Sequence, residues 1–87
     1  MKIWKWTVDI GTNNIMLPDG AQILDVQMQK GQLSLWALCD ETASLKPRSF
    51  EIYGTGHNVP KDHGRYVATF QMSGGDLVFH FFERHSE

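Results

Sequence analysis

QILDVQMQKGQLSLWALC, residues 22–39, carries the clearest structural signal in this chain. Apolar and polar residues alternate on both sides of Lys30-Gly31, which is typical of two β-strands joined by a two-residue hairpin turn. The turn predicts facing apolar pairs on one side of the hairpin. These pairs are Met28 with Leu33, Val26 with Leu35 and Leu24 with Ala37, while Gln29, Gln27 and Asp25 face outward. A shift of one residue would mix the two faces, so the pattern specifies the register.

A second hairpin is predicted near the C-terminus, with Gly74-Gly75 as the turn between strands 66–73 and 76–84. The apolar pairs expected on its inner face are Met72 with Leu77, Phe70 with Phe79 and Ala68 with Phe81. The outer face is expected to carry Val67, Thr69, Val78, His80 and Phe82. Because the last strand is apolar on both faces, we expect the rest of the sheet or a second copy of the chain to cover its outer side.

The remaining segments also favour β-structure. Residues 3–10 alternate as a strand, with Trp4, Trp6, Val8 and Ile10 on one face. Turn residues at 11–14 and 18–20 flank the short apolar segment 15–17, which predicts a hairpin or short meander at the N-terminus. Residues 40–47 are polar and end in proline, so they predict a surface loop before a strand at 48–53.

Together these patterns predict one all-β domain over residues 1–87. Six or seven antiparallel strands are expected, arranged as a small sandwich or a partly open barrel. Apolar residues nowhere keep helical spacing for three turns, so we expect little helix. A domain of 87 residues is near the lower size limit for a single stable core, and this favours a homo-oligomer.

The composition limits the classes of partner. The formal net charge is −2, and no cluster of basic residues suggests binding to duplex nucleic acid or to an anionic membrane surface. No apolar run approaches the roughly 18 residues of a membrane-spanning helix. The single cysteine, Cys39, lies in an apolar run, which is typical of a buried thiol in a reducing compartment. These features predict a cytoplasmic protein.

The segment from Phe50 to Pro60 is the strongest candidate for a binding site. It is a predicted strand that runs into a glycine-rich turn, and backbone N–H groups in such a turn can converge on an anion. Basic side chains follow within a few residues. The candidate ligand- or partner-binding residues are Tyr53, Gly54, Thr55, Gly56, His57, Lys61 and Arg65. The alternative is a turn that merely ends the strand, because neither a helix nor a Gly-Lys-Ser/Thr sequence follows.

Other functional patterns are weak. The four histidines lack the spacing of a zinc site, so no metal and no cofactor are expected. His80 is predicted to be a hydrogen-bonded histidine opposite Thr69 in the sheet. The adjacent Asp62 and His63 could form a catalytic base but are more typical of solvated charges, and no catalytic residue is assigned. Three tryptophans (Trp4, Trp6 and Trp36) could stack single-stranded bases, but without nearby basic residues a core role is favoured.

Several short motifs stand out along the chain, namely Lys2-Ile-Trp-Lys5, Leu35-Trp-Ala-Leu38, Tyr53-Gly-Thr-Gly-His57, Val59-Pro60, Thr69-Phe-Gln71 and Leu77-Val-Phe-His80. In these motifs the sequence resembles an uncharacterised family of short bacteriophage proteins. The similarity extends over nearly the whole chain, to Phe82-Glu83. The resemblance implies a phage accessory protein made in the cytoplasm of the bacterial host, and it brings no catalytic residues with it.

Three functions are therefore considered. The favoured one is a non-enzymatic protein that binds and inhibits or sequesters a host component, such as a defence protein. The alternative is a sponge for a small anionic ligand such as a nucleotide, held by the Gly54–His57 turn together with Arg65. A minor component of the virion is a third possibility.

Overall fold

The computed structural model describes residues 1–11 and 14–85, which form seven β-strands and one short 3-10 turn. The strands are β1 (Lys2–Thr7), β2 (Asn14–Pro18), β3 (Gln22–Gln29), β4 (Gln32–Cys39), β5 (Leu45–Gly54), β6 (Arg65–Met72) and β7 (Leu77–Glu83). The 3-10 turn is Ser73–Gly75 and joins β6 to β7. The predicted all-β fold with little helix is confirmed.

The strands form two antiparallel sheets that enclose one apolar core. The first sheet has the order β1-β4-β3, and the second has the order β2-β5-β7-β6. The core contains Val8, Ile15, Leu17, Ala21, Ile23, Val26, Leu33, Leu35, Ala37, Cys39, Phe50, Ala68, Phe70 and Phe81. At one edge β3 lies beside β6, where Gln27 Nε2 donates a hydrogen bond to Thr69 O at 3.2 Å. Of the two predicted architectures, the chain adopts the sandwich.

The first hairpin follows the predicted register near its turn. Lys30 and Gly31 have φ angles of +50° and +79°, as a two-residue turn with two left-handed positions requires. Met28 faces Leu33, and the neighbouring pairs continue as predicted. A bulge between Ile23 and Asp25 then shifts the pairing by one residue.

This bulge overturns one predicted pair. Ile23, rather than Leu24, faces Ala37 and is buried, whereas Leu24 is 44% exposed. Both residues are apolar, so either side chain could pack in the core. The bulge adds one residue to β3 at this point, and as a result Ile23 faces the core.

The second hairpin behaves in the same way. The predicted pairs from Met72–Leu77 to Ala68–Phe81 are confirmed, and the rings of Phe70 and Phe79 stack with centroids 5.8 Å apart. A bulge between Tyr66 and Ala68 packs Val67 against the core, so the prediction of Val67 on the outer face is wrong. Tyr66 instead pairs with Phe82 and is 54% exposed.

The N-terminal segments pair with distant strands, so the predicted hairpin or meander is wrong. β1 pairs with β4 in the first sheet, and β2 pairs with β5 in the second. β1 also ends at Thr7, before the buried Val8 and the exposed Ile10. Thr12 and Asn13, at the centre of the predicted turn over 11–14, lie outside the described residues.

β5 begins earlier than predicted. It starts at Leu45, which reduces the expected eight-residue loop to residues 40–44. Pro47 is accommodated because residues 45–49 of β5 pair with β2 alone, and residues 50–54 pair with β7. The missing N–H of proline can therefore face an edge that has no ladder.

The position of β7 explains the role of residues 55–64. β5 and β6 lie on either side of β7, and both are antiparallel to it. The segment between them, which we call the crossover, must therefore pass across β7. It brings the predicted binding turn against the second sheet.

Candidate functional site

The predicted glycine turn lies where the crossover leaves β5. Thr55 N donates a hydrogen bond to Val78 O at 3.1 Å, and His57 N donates to Gly54 O at 3.0 Å. Gly56 has a φ of +86°, whereas Gly54 does not have a positive φ. A Cβ on Gly54 would lie 2.7 Å from the His57 ring, so a side chain at this position would displace the imidazole from where it lies.

The turn and the start of β7 line a groove of about 330 Å³. Its walls are formed by Gly54, Thr55 and His57 on one side and by residues 76–79 on the other. Leu77, Val78 and Phe79 make the second wall apolar, and Asp76 adds a carboxylate. The groove therefore suits a small ligand with an apolar body better than it suits a free anion.

The structure separates Arg65 from this turn. In the ladder, Gly54 pairs with Phe79, whereas Arg65 pairs with Glu83, four residues further along β7. This separation is roughly 13 Å along the strand. Lys61 is exposed in the crossover between the two positions. The predicted residues thus fall into two groups at opposite ends of β7.

At the Glu83 end, three charged side chains form a compact ion-pair cluster. Arg48 donates to the Glu83 carboxylate from Nε at 2.6 Å and from Nη2 at 2.8 Å. Arg65 Nη2 donates to the same carboxylate at 2.7 Å. Arg48 Nη1 also donates to the backbone carbonyl of Ala21, which ties the β2–β3 turn to the second sheet.

The electrostatics of this cluster are dominated by the shared carboxylate. Burial disfavours the charged form of Glu83, but the hydrogen bonds from Arg48 and Arg65 outweigh it, so the pKa of Glu83 lies below its ordinary value. The hydrogen bond to Glu83 likewise raises the pKa of Arg48. Sequence reasoning missed this cluster, because Arg48 and Glu83 meet only through the pairing of β5 with β7.

The outer face of the second sheet carries a group of aromatic rings. Phe82 lies at its centre, with the ring centroids of Tyr53 and Tyr66 each 5.6 Å away and that of His63 5.0 Å away. All three neighbours meet Phe82 edge to face. We call Tyr53, His63, Tyr66 and Phe82 the aromatic face. Tyr53 is the only member that the sequence singled out as a binding candidate.

A chain of hydrogen bonds runs beside the aromatic face. His80 Nε2 contacts Thr55 Oγ1 at 2.8 Å, and its Nδ1 contacts Thr69 Oγ1 at 3.0 Å. Thr69 Oγ1 in turn contacts the hydroxyl of Tyr66 at 2.9 Å. The predicted hydrogen-bonded role of His80 opposite Thr69 is confirmed, and the chain fixes Tyr66 relative to the crossover.

The other candidate groups are dispersed. His63 Nδ1 contacts the carbonyl of Gly64 at 2.7 Å while its ring packs on Phe82. Trp36 pairs with Lys5 and so points to the face of the first sheet opposite Trp4 and Trp6. Within residues 1–11 and 14–85, no group of three His, Cys, Asp or Glu side chains is placed to hold a metal ion. In the same residues no helix is long and apolar enough to cross a membrane.

The chain belongs to a domain family of unknown function. The family, DUF7352, matches residues 1–87. Neither the curated proteins nor the solved structures give a significant match to the chain. The expectation of an uncharacterised family is confirmed.

This member of DUF7352 therefore presents three distinct surfaces on one sheet. The groove beside the glycine turn offers one apolar wall and one carboxylate, the Glu83 end offers arginines, and the aromatic face offers rings with hydroxyl groups. Because aromatic side chains combine apolar area with polar atoms, the third surface has the composition that protein interfaces favour.

Proposed function

We propose that this protein is a non-enzymatic phage accessory protein that binds and inhibits or sequesters a component of the bacterial host, such as a defence protein. The binding surface in this proposal is the aromatic face. The resemblance to short phage proteins motivates the biological setting, and the aromatic face supplies the physical basis for binding.

The observation that carries the proposal is the placement of four aromatic rings on the outer side of a sheet. Residues in the strands of a sandwich alternate between inward-facing and outward-facing positions, and the outward-facing ones are usually polar. Here Phe82 is half-buried among Tyr53, His63 and Tyr66, and Tyr66 is 54% exposed. Tyrosine is enriched among the residues that dominate binding energy at protein interfaces.

The hydrogen bonds around the face support binding rather than catalysis. Both ring nitrogens of His80 contact threonine hydroxyls, and a ring nitrogen of His63 contacts a backbone carbonyl. These contacts hold the rings in place before a partner arrives, which lowers the entropic cost of association.

The test compares two single variants of similar exposure in different sheets. Tyr66→Ala removes a ring from the aromatic face, whereas Ile3→Ala removes an exposed apolar side chain from β1, at the edge of the first sheet opposite β3. The tagged proteins are expressed in bacterial cells, and the partner recovered with the wild type is purified and titrated against each variant. We expect Tyr66→Ala to weaken binding by at least about tenfold and Ile3→Ala to have little effect.

Equal binding by Tyr66→Ala and the wild type would contradict the proposed surface. A partner whose activity is unchanged when it is saturated with this protein would contradict inhibition. Recovery of the protein in purified virions, with no complex in the host cell, would favour the role of a minor virion component instead.

A second candidate function is a sponge for a small ligand, and the groove beside the Gly54–His57 turn favours it. A volume of about 330 Å³ lies within the range of small-molecule sites. The test is a thermal-shift panel of nucleotides on the wild type and on His57→Ala. A rise of several degrees that His57→Ala removes would support a sponge at this groove, whereas a flat panel, or a rise that His57→Ala retains, would reject it.

Oligomeric assembly is a separate prediction of the proposed function. β7 is apolar on both faces, and the crossover and the tyrosine rings cover its outer side only in part, since Phe82 and His80 remain half-buried. We expect a dimer or a larger homo-oligomer at micromolar concentration. Light scattering that finds only the 9.9 kDa species would contradict this expectation.

A further inference from the structure

All three arginines of this chain lie at one end of the second sheet, although they are far apart in the sequence. Arg48, Arg65 and Arg84 line one cavity of about 390 Å³, together with Glu83 and His85. An adjoining cavity of about 570 Å³ shares Arg48, Glu83, Arg84 and His85. The five lysines provide the other positive charges of the chain. We call the three arginines the arginine cluster.

The charge at this end differs from that of the whole chain. The arginine cluster is paired with only two carboxylates among the described residues, namely Glu83 and Glu51. Three guanidinium groups thus face two carboxylates, which leaves a local positive charge. The chain as a whole has a net charge of −2. A negatively charged ligand would therefore be attracted to this end in preference to the rest of the surface.

The exposed arginines also have donors to spare. Arg65 uses Nη2 to bind Glu83, and Arg84 uses Nη1 to bind Glu51 at 3.2 Å. Their side chains are 60% and 50% exposed, respectively. A guanidinium group carries five N–H donors, so most donors of both side chains remain available to a ligand in the cavity.

Arg48 has a different task in the cluster. All three of its guanidinium nitrogens are engaged, by Glu83 and by the carbonyl of Ala21. Its side chain is only 21% exposed. Arg48 therefore holds the Glu83 carboxylate in place, and that carboxylate positions Arg65 at the cavity.

We infer that the arginine cluster is a binding site for a small ligand that carries a phosphoryl group. Arg65 and Arg84 donate hydrogen bonds to the phosphoryl oxygens, and Arg48 is a positioning residue that acts through Glu83. The planar fork of arginine matches phosphate oxygens in pairs, which a lysine cannot do. The cavity volumes lie within the range of small-molecule sites. The inference does not rest on the proposed function, because none of these residues belongs to the aromatic face.

Calorimetric titration with three probes tests the inference directly. The probes are pyrophosphate, ADP and adenosine, each added to the full chain at low salt. We expect pyrophosphate and ADP to bind and adenosine not to bind. Similar affinities for the two phosphorylated probes would show that the phosphoryl groups suffice, and tighter binding of ADP would show that the nucleoside adds contacts. Binding of adenosine alone, or of none of the three, would overturn the inference.

Matched variants separate a site from a general charge effect. Arg84→Gln and Arg65→Gln each remove one donor group of the cluster, whereas Lys30→Gln removes one positive charge at the distant β3–β4 turn. We expect each arginine variant to weaken pyrophosphate binding by about 10- to 100-fold, and Lys30→Gln to leave it nearly unchanged. Equal losses of pyrophosphate affinity in all three variants would overturn the inference. It would also be overturned if His57→Ala, at the glycine turn, weakened pyrophosphate binding while both arginine variants did not. Melting temperatures verify that each variant is folded, and because both arginines are half-exposed or more, neither loss should unfold the chain.

Discussion

The two ends of β7 hold their neighbours by different means. At the Leu77 end, the crossover is joined through backbone hydrogen bonds, such as that from Thr55 N to Val78 O, and leaves an open groove. At the Glu83 end, Arg48 of β5 and Arg65 of β6 both bind the Glu83 carboxylate, and the Glu83 side chain is only 14% exposed. The glycine turn looks functional in the sequence because its residues are contiguous. The arginine cluster is invisible there because strand pairing alone assembles it.

The largest loss of stability is expected when the buried residue at the centre of β7 is truncated. Phe81 lies in the middle of β7, is fully buried and packs on Phe50 with ring centroids 5.0 Å apart. Phe81→Ala should lower the free energy of unfolding by roughly 3–5 kcal/mol, which is enough to unfold a small domain. Circular dichroism and chemical denaturation would measure this loss. A variant with an unchanged denaturation midpoint would show that β7 is not the centre of the core.

The two glycines that bound the crossover should respond very differently to alanine. Gly64 has a φ of +89°, and a Cβ there would lie 2.2 Å from the backbone oxygen of Glu83. Gly64→Ala should therefore cost roughly 2–4 kcal/mol, because strain and overlap with a fixed backbone add together.

The matched change at the other end is Gly54→Ala. There the added methyl group meets only the His57 ring, which belongs to an exposed side chain and can move aside. We expect a cost below about 1 kcal/mol, in the range of ordinary surface substitutions. Equal destabilisation by the two alanines, measured by urea denaturation, would contradict the difference between the two ends.

The ion pairs should make the Glu83 end sensitive to pH. Because the pKa of Glu83 is lowered in the folded chain, its contribution is complete above its ordinary value of 4.5 and is lost as the pH falls through the folded pKa. Glu83→Gln should cost about 2 kcal/mol at neutral pH, less than the roughly 3–5 kcal/mol seen when a fully buried pair is broken.

Stability measured between pH 7 and pH 2 checks this prediction. The difference between the wild type and Glu83→Gln should shrink as the pH falls below 4.5. A difference that stays constant over this range would show that the carboxylate charge contributes nothing to the fold.

The sequence correctly predicted the features that depend on residues close together in the chain, above all the strand pairing near each hairpin turn. Both hairpin registers are correct close to their turns, because a short turn and two alternating strands permit only one pairing. The errors occur at the far ends, where Ile23-Leu24 and Tyr66-Val67 each offer two adjacent apolar or aromatic residues. Alternation cannot choose between such neighbours, and in each case a bulge makes the choice.

The candidate site was predicted only in part, for a related reason. Tyr53 and Gly54 end β5 and His57 follows in the turn beside them, but Arg65 pairs with Glu83 and lies apart from them. His57 and Arg65 are close in the sequence. They are separated in space because the crossover runs along the full paired length of β7. The pairing of β1 with β4 and of β5 with β7 has no local signal, so the arginine cluster could not be inferred before the sheet order was known.

The separation of the two ends of β7 can be tested most directly by mapping amide resonances in Arg65→Gln. The half-exposed Arg65 can be replaced without loss of the core, and the variant changes only one end of the strand. The structure predicts shifted amide signals at Arg48, Glu83 and Arg84, with the signals of residues 54–57 unchanged. Shifts centred on Gly54 and His57 would show that the glycine turn and Arg65 form a single site and would contradict the separation.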